Sequence, residues 1–289
     1  MISFGSVLRA GVAAGAAAGL ASALVIWLLV EPVIRKALVI EDRRGASGGH
    51  AGGHAGESAL FAIPAILPAH GGELVTRAQQ VIGGAVTSML VGIAFGVIFA
   101  VVFAKARHRL AGDSDFWRSL GLAAIGFGAI ALLPAIVVPA NPPAVGDPAT
   151  VTQRTWLYVL SLLLGVAIAL AVPMLDRVLA ARGLADSTRW SLDVLATVLA
   201  VVVVVVVLPG SPDAVPEDVP AALLWDFRVA SLAQLAAMWV TLGTVFGLLM
   251  ERTVAAKQPS SSGDSGSAHE QELSAAGRAP TAAPARADA

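Results

Sequence analysis

Long apolar runs alternate with short polar or proline-rich segments along the chain up to about residue 250, with helical rather than alternating patterning. A spanning helix needs about 20 predominantly apolar residues. Six windows meet that length: 7–30, 81–103, 120–138, 156–174, 192–208 and 229–250. Barrel strands would be about 10 residues long with period-two polarity, which none of the windows has. The pattern predicts an all-α, polytopic helical bundle over residues 1–252. Residues 253–289 are Ser, Gly, Ala and Pro with scattered charge and no apolar face, which predicts a disordered cytoplasmic tail. The first window outruns a secretory signal core of about 7 to 15 residues, so it reads as a retained span that exits into Glu31-Pro32.

Composition strengthens this reading. Apolar residues make up 56 % of the chain and charged ones 13 %, too little polar surface to keep a soluble domain of this size in water. There is no cysteine, which excludes disulfides, thiolate metal sites and thiol catalysis. Basic residues are almost all Arg, and Ala, Gly and Val dominate, a composition suited to a bacterial chain and hence to the cytoplasmic (inner) membrane.

Charge then sets orientation, because cytoplasmic loops hold the excess of Lys and Arg. Lys105, Arg107, Arg109 and Arg118 lie between spans two and three, Arg177, Arg182 and Arg189 between four and five, and Arg252 and Lys257 after six. These segments read as cytoplasmic, with both termini on that side. The loops before spans four and six carry only Arg154 and Arg228, each at a helix mouth, and read as external. The long first loop, with Arg35, Lys36, Arg43, Arg44 and Arg77, must then also be external, against the charge rule.

Each even-numbered span opens near an Arg: Arg77, Arg154 and Arg228, recurring about every 75 residues. Upstream of each stand a Leu-Pro step (Leu67-Pro68, Leu133-Pro134, Leu208-Pro209) and an acid (Glu73, Asp147, Asp226). A hairpin used three times accounts for this, as in transporters with parallel repeats, and so does the ordinary placing of Arg and Pro at helix ends. The arginines could pair with those acids to lock the outer mouth.

The external face offers metal-binding chemistry. His50, His54 and Glu57 lie in a Gly-rich run, and His70 and Glu73 follow closer to the second span. Imidazole with carboxylate suits cobalt, nickel or zinc, whereas calcium or magnesium would want oxygen alone. Two readings stand: a weak, fast-exchanging capture site, or a flexible linker with incidental histidines. The other external loops are proline-rich and carry Asp147, Asp213, Glu217 and Asp218, an acidic rim that would concentrate cations. Gln79, Gln80, Ser231 and Gln234 are polar groups placed to join helices or line a path. Gly11, Gly15 and Gly19 on the first span, and Gly83, Gly92 and Gly96 on the second, predict close helix packing. No phosphate-binding loop, His-Glu-x-x-His or nucleophile elbow occurs, so the chain reads as a non-enzyme. No basic soluble domain is present for nucleic acid.

Several segments together resemble the CbtA family of predicted cobalt transporter subunits. They are Leu8-Arg9-Ala10-Gly11 with Gly15 and Gly19; Gln80-Val81-Ile82-Gly83; Leu133-Pro134 with the loop Asn141 to Asp147 and Arg154; and Phe227-Arg228-Val229-Ala230-Ser231-Leu232 with Trp239. The resemblance implies a cobalt permease linked with cobalamin biosynthesis, working with a small single-span, histidine-bearing partner, CbtB. Cobalt would be cargo rather than a permanently bound cofactor. Members are described with five spans, against the six counted here. A non-transporting membrane scaffold, or a permease for another substrate, is the alternative reading.

Overall fold

A computed structural model of the chain describes residues 3–47, 77–143 and 145–255, and every regular element among them is helical. Six described stretches are long and apolar enough to cross a membrane: Phe4–Gly45, Ile82–Arg109, Asp115–Val137, Pro148–Ala181, Asp186–Val207 and Ala221–Ala255. The all-helical, six-span reading of the apolar windows therefore holds.

The elements are α1 (Phe4–Val25), α2 (Glu31–Ser47), α3 (Arg77–Ala106), α4 (Asp115–Gly126), α5 (Leu133–Val137), α6 (Val151–Ala181), α7 (Asp186–Val207) and α8 (Ala221–Ala255). Two π-helical turns interrupt what would otherwise be single helices. Ile26–Val30 joins α1 to α2, and Phe127–Leu132 joins α4 to α5. The first differs from the sequence expectation, in which the span leaves the membrane at Glu31-Pro32. Pro32 has no N–H to continue an α ladder, but the π turn has already shifted the pattern: the Glu31 N–H bonds to Ile26 O, five residues back. The helix therefore passes through the proline.

Between membrane helices the hydrophobic effect contributes little, and association depends on close packing and interhelical hydrogen bonds. The α1–α3 seam uses the first. Gly11 lies against Gly96 O, Gly15 against Gly92 O and Gly19 against Ser88 and Met89, so closely that a Cβ at any of these glycines would run into backbone. Gly83, counted with them from the sequence, has open space around it instead.

Three apolar clusters organise the described residues. One joins α1, α3, α4 and α8, with Phe103, Leu242, Phe246 and Met250 fully buried and Phe246 edge-on to Phe99 and Phe103 at 5.2 and 4.9 Å. A second seats Val30, Val33 and Ala37 against Val219, Leu223, Phe227 and Ala230, laying α2 on the first turns of α8. The third joins α5, α6 and α7 through Leu133, Val137, Leu157 and Val204. The first two spans thus pack as a pair, whereas α7 and α8 belong to different clusters.

Candidate functional site

The loops before α6 and α8 converge on one carboxylate. Asp213, whose side chain is 1 % exposed, accepts hydrogen bonds from Asn141 Nδ2 at 3.0 Å, Thr150 Oγ1 at 2.5 Å and the Asp147 N–H at 3.4 Å. Arg154 Nη1 stands 3.3 Å from its second oxygen. The Asn141 amide is used at both ends, because its Oδ1 accepts from Arg228 Nη2 at 3.2 Å while Arg228 Nε donates to Ala140 O at 3.3 Å. Carboxylate burial costs several kcal/mol unless it is paired and hydrogen-bonded, and here donors from the loop before α6 and from the mouth of α6 supply that.

Local sequence explains the positions. Asp147 caps the short turn Pro148–Thr150 by accepting from the Ala149 N–H at 2.8 Å, which fixes the start of α6 and so aims Arg154 back across the loop. Gly146 has φ +137°, open to glycine and strained for other residues, and it lies beneath the Arg154 guanidinium. Pro142 is fully buried, which holds the Asn-Pro-Pro segment rigid. On the same face, Arg44 at the end of α2 grips Asp218 through two hydrogen bonds of 2.6 and 2.5 Å. The hydrogen bond from Arg44 holds the Asp218 carboxyl below the ordinary 3.8. The end of α2 and the loops before α6 and α8 therefore share one face of the bundle.

The opposite end is simpler. Arg107 donates from Nε and Nη2 to the two oxygens of Asp115 at 2.7 and 2.6 Å, with Arg118 3.5 Å away. Arg189 bonds Asp176 at 2.8 Å and Asp186 at 3.0 Å.

Of the residues singled out from the sequence, Asn141, Asp147, Arg154 and Arg228 are brought together, yet not with the acids expected. Arg154 pairs with Asp213 rather than with the Asp147 carboxylate, and reaches only the Asp147 carbonyl at 3.5 Å. Arg228 takes Asn141 rather than Asp226. Ser231 bonds back to Phe227 O within its own helix, at 2.8 Å. Gln234, by contrast, donates to Ser22 Oγ at 2.9 Å and ties α8 to α1 inside the bundle. Arg77 and Gln80 lie in the first turn of α3, and their side chains fall outside what is described. His50, His54, Glu57, His70 and Glu73 lie outside the described residues altogether, as does Leu67-Pro68. Among the described residues no group of three or more His, Asp or Glu is placed to hold a metal ion. Asp213 itself was legible only as one acid of a proline-rich rim. The signal that marks it is its place between Pro212 and Pro216, in the loop that faces two arginine-bearing helix mouths with no other basic residue.

Neither the curated proteins nor the solved structures gave a match to this chain. The family described as "Probable cobalt transporter subunit (CbtA)" does match, over residues 4–251, which takes in all six spans and both halves of the Asp213 knot up to the last turn of α8. That coverage places the chain in the CbtA family of probable cobalt transporter subunits, as a multi-pass helical membrane protein.

Proposed function

We propose that this chain is the permease subunit of a cobalt importer in the bacterial inner membrane. It loads from the face that carries the Asp213 knot and supplies cobalt for cobalamin biosynthesis. The observation that carries this reading is the family match across the whole membrane domain. Charge supports the direction. The loops before α6 and α8 on the knotted face are acidic, with Asp147, Asp213, Glu217 and Asp218, while the opposite end has Lys105, Arg107, Arg109, Arg177 and Arg182. The exception on the knotted face is α2, with Arg43 and Arg44 at its end. Cytoplasmic loops are the basic ones, which puts the knotted face outside and both termini inside.

In this account His50, His54, Glu57, His70 and Glu73 are the capture ligands. A mixed imidazole and carboxylate set in a Gly-rich sequence pays ordering entropy on binding and so gives fast exchange, suited to handing an ion on rather than holding it. The Asp213 knot plays another part. Both its oxygens are already taken by donors, so it shapes and closes the outer mouth instead of ligating the ion. "Subunit" in the family description calls for a partner, and a small single-span chain bearing histidines of its own would complete the capture site.

The test is cobalt accumulation at low external metal, in cells lacking other cobalt and nickel uptake systems and expressing this chain with that partner. Uptake is expected above vector, falling about tenfold when His50, His54 and His70 are all changed to Ala, on the scale of losing ligands from a metal site. Uptake equal to vector, with the protein verified in the membrane, contradicts the reading and leaves a scaffold or another substrate.

A further inference from the structure

The π turn Phe127–Leu132 lies on a boundary between two packed bodies. On its near side, α4 belongs with α1, α3 and α8. Ser119 Oγ donates to Gly243 O at 2.7 Å, Gly126 lies against the Trp239 ring, and Phe127, Ile130 and Ala131 pack into the same cluster. Beyond the turn the partners change. Leu133, Val137 and Val138 pack with Leu157 of α6 and Val204 of α7. The helix itself is weakest there. The Leu133 N–H bonds to Gly128 O, five residues back, and the fully buried Pro134 that follows has no N–H to give to Ala129 or Ile130. Gly128 has open space around it, and Gly165 lets α6 rest on the Ala129 carbonyl so closely that a Cβ would collide with it.

The other π turn provides a contrast. At Ile26–Val30 three residues, Val30, Val33 and Ala37, are seated in one apolar cluster with Val219, Leu223, Phe227 and Ala230 of α8 and the loop before it, with Ser22–Gln234 below, whereas beyond Phe127–Leu132 only Val145 and Ala140 join that cluster. At the knotted end the loop between α5 and α6 meets α2 and α8 through Val145 and Ala140, seated in their apolar cluster, and through polar bonds. Arg228 of α8 holds Asn141 and Ala140 O, and Asp213, in the loop from α7 to α8, holds Asn141, Thr150 and Arg154. Hydrogen bonds of this kind can open and re-form in water, whereas an interdigitated apolar seam cannot slip in small steps.

We propose that α5, α6 and α7 form a rigid arm that pivots on the π turn Phe127–Leu132 with Gly165 as its bearing, and that the bonds from Arg228 to Asn141 Oδ1 and Ala140 O, beside the seat of Val145, are the latch that holds the arm against α8. Resting on the transport reading, this supplies the two-state element that alternating access needs: with the latch closed the arm seals the outer mouth, and with it open the arm swings from α4 and α8.

The chain's lack of cysteine makes paired spin labels practicable in the full-length protein. The exposed positions Leu170 of α6 and Leu20 of α1, each changed to Cys, report arm against core. Leu20 with Leu248 reports within the core, and Leu170 with Val198 within the arm. The arm–core pair is expected to show two distances, whose ratio changes about fivefold in Asn141→Ala, the factor one net hydrogen bond is worth. Both internal pairs are expected to keep a single distance in either background, which also shows that the variant is folded. One arm–core distance, the same with and without Asn141, overturns the hinge. Cobalt uptake by the same proteins separates the two claims: motion without uptake counts against the transport reading and leaves the hinge, whereas uptake with an immobile arm sinks the hinge alone.

Discussion

At the end that carries Asp213, hydrogen bonds reach across 63 to 88 positions of sequence, and the Arg44–Asp218 clasp across 174. At the opposite end Arg107 and Arg189 find their carboxylates 8 and 13 positions away. The first end holds together parts of the chain that only the finished bundle brings near each other. The second ties neighbouring helix ends and forms as soon as each hairpin does. Ser119–Gly243 and Gln234–Ser22 also reach far along the chain within the bundle, but the long-range bonds made by charged side chains lie at the acidic end.

The comparison can be broken most directly at its centre. Asp213→Ala leaves Arg154, Asn141 and Thr150 facing a void, and removal of one member of a buried, hydrogen-bonded charge group costs about 3 kcal/mol or more. A clear drop in the thermal midpoint of the purified protein is expected, along with loss of cobalt uptake. Asp115→Ala, at the other end, removes an acid whose side chain is 3 % exposed, but Arg107 at 39 % can turn to water, so a cost of about 1–2 kcal/mol is expected. A larger loss at Asp115 than at Asp213 would reverse the contrast. Asp176→Asn weakens a half-buried pair at the membrane edge, and Arg189 keeps Asp186, so it should cost less than about 1 kcal/mol.

The smallest effect belongs to Arg44–Asp218 and carries a pH signature. Arg44 holds the Asp218 carboxyl below the ordinary 3.8, so the clasp contributes fully above that range and is lost as pH falls through the depressed folded value. Stability of the parent relative to Asp218→Asn should therefore be constant from neutral pH down to the carboxylate range and converge below it. A difference unchanged in acid would mean that the clasp does not act through this ionised group.

How much of this was legible in the sequence divides along similar lines. Six apolar runs suffice for the spans, because length and composition alone decide whether a segment can cross a bilayer. Gly11, Gly15 and Gly19 announced the α1 face of the first seam, since only backbone contact calls for glycine at a spacing of four. Arg154 and Arg228 were readable at helix mouths and Asn141 at the start of a proline-rich loop, but their partners were not. Choosing Asp213 over Asp147 depends on how two irregular loops fold over each other, which no periodicity encodes. The π turns were missed for a related reason. Pro32 read as the exit of the first span, and the window 120–138 runs through Pro134 with nothing in its apolar pattern to mark a change of helical winding; it is the neighbouring helices that keep the chain helical through both prolines. The histidines and glutamates of the first loop lie outside the described residues, and they remain the ligands we propose on chemical grounds.

Which end faces outward is the point on which capture, charge asymmetry and transport direction all depend. Single cysteines at Gly210, where a side chain has open space, and at Ala111, exposed in the opposite loop, can be labelled in intact cells with a membrane-impermeant maleimide. The account predicts that the cysteine at 210 reacts in intact cells and the one at 111 only after the membrane is opened. Labelling in the reverse order would place the Asp213 knot in the cytoplasm and contradict a permease that collects cobalt there.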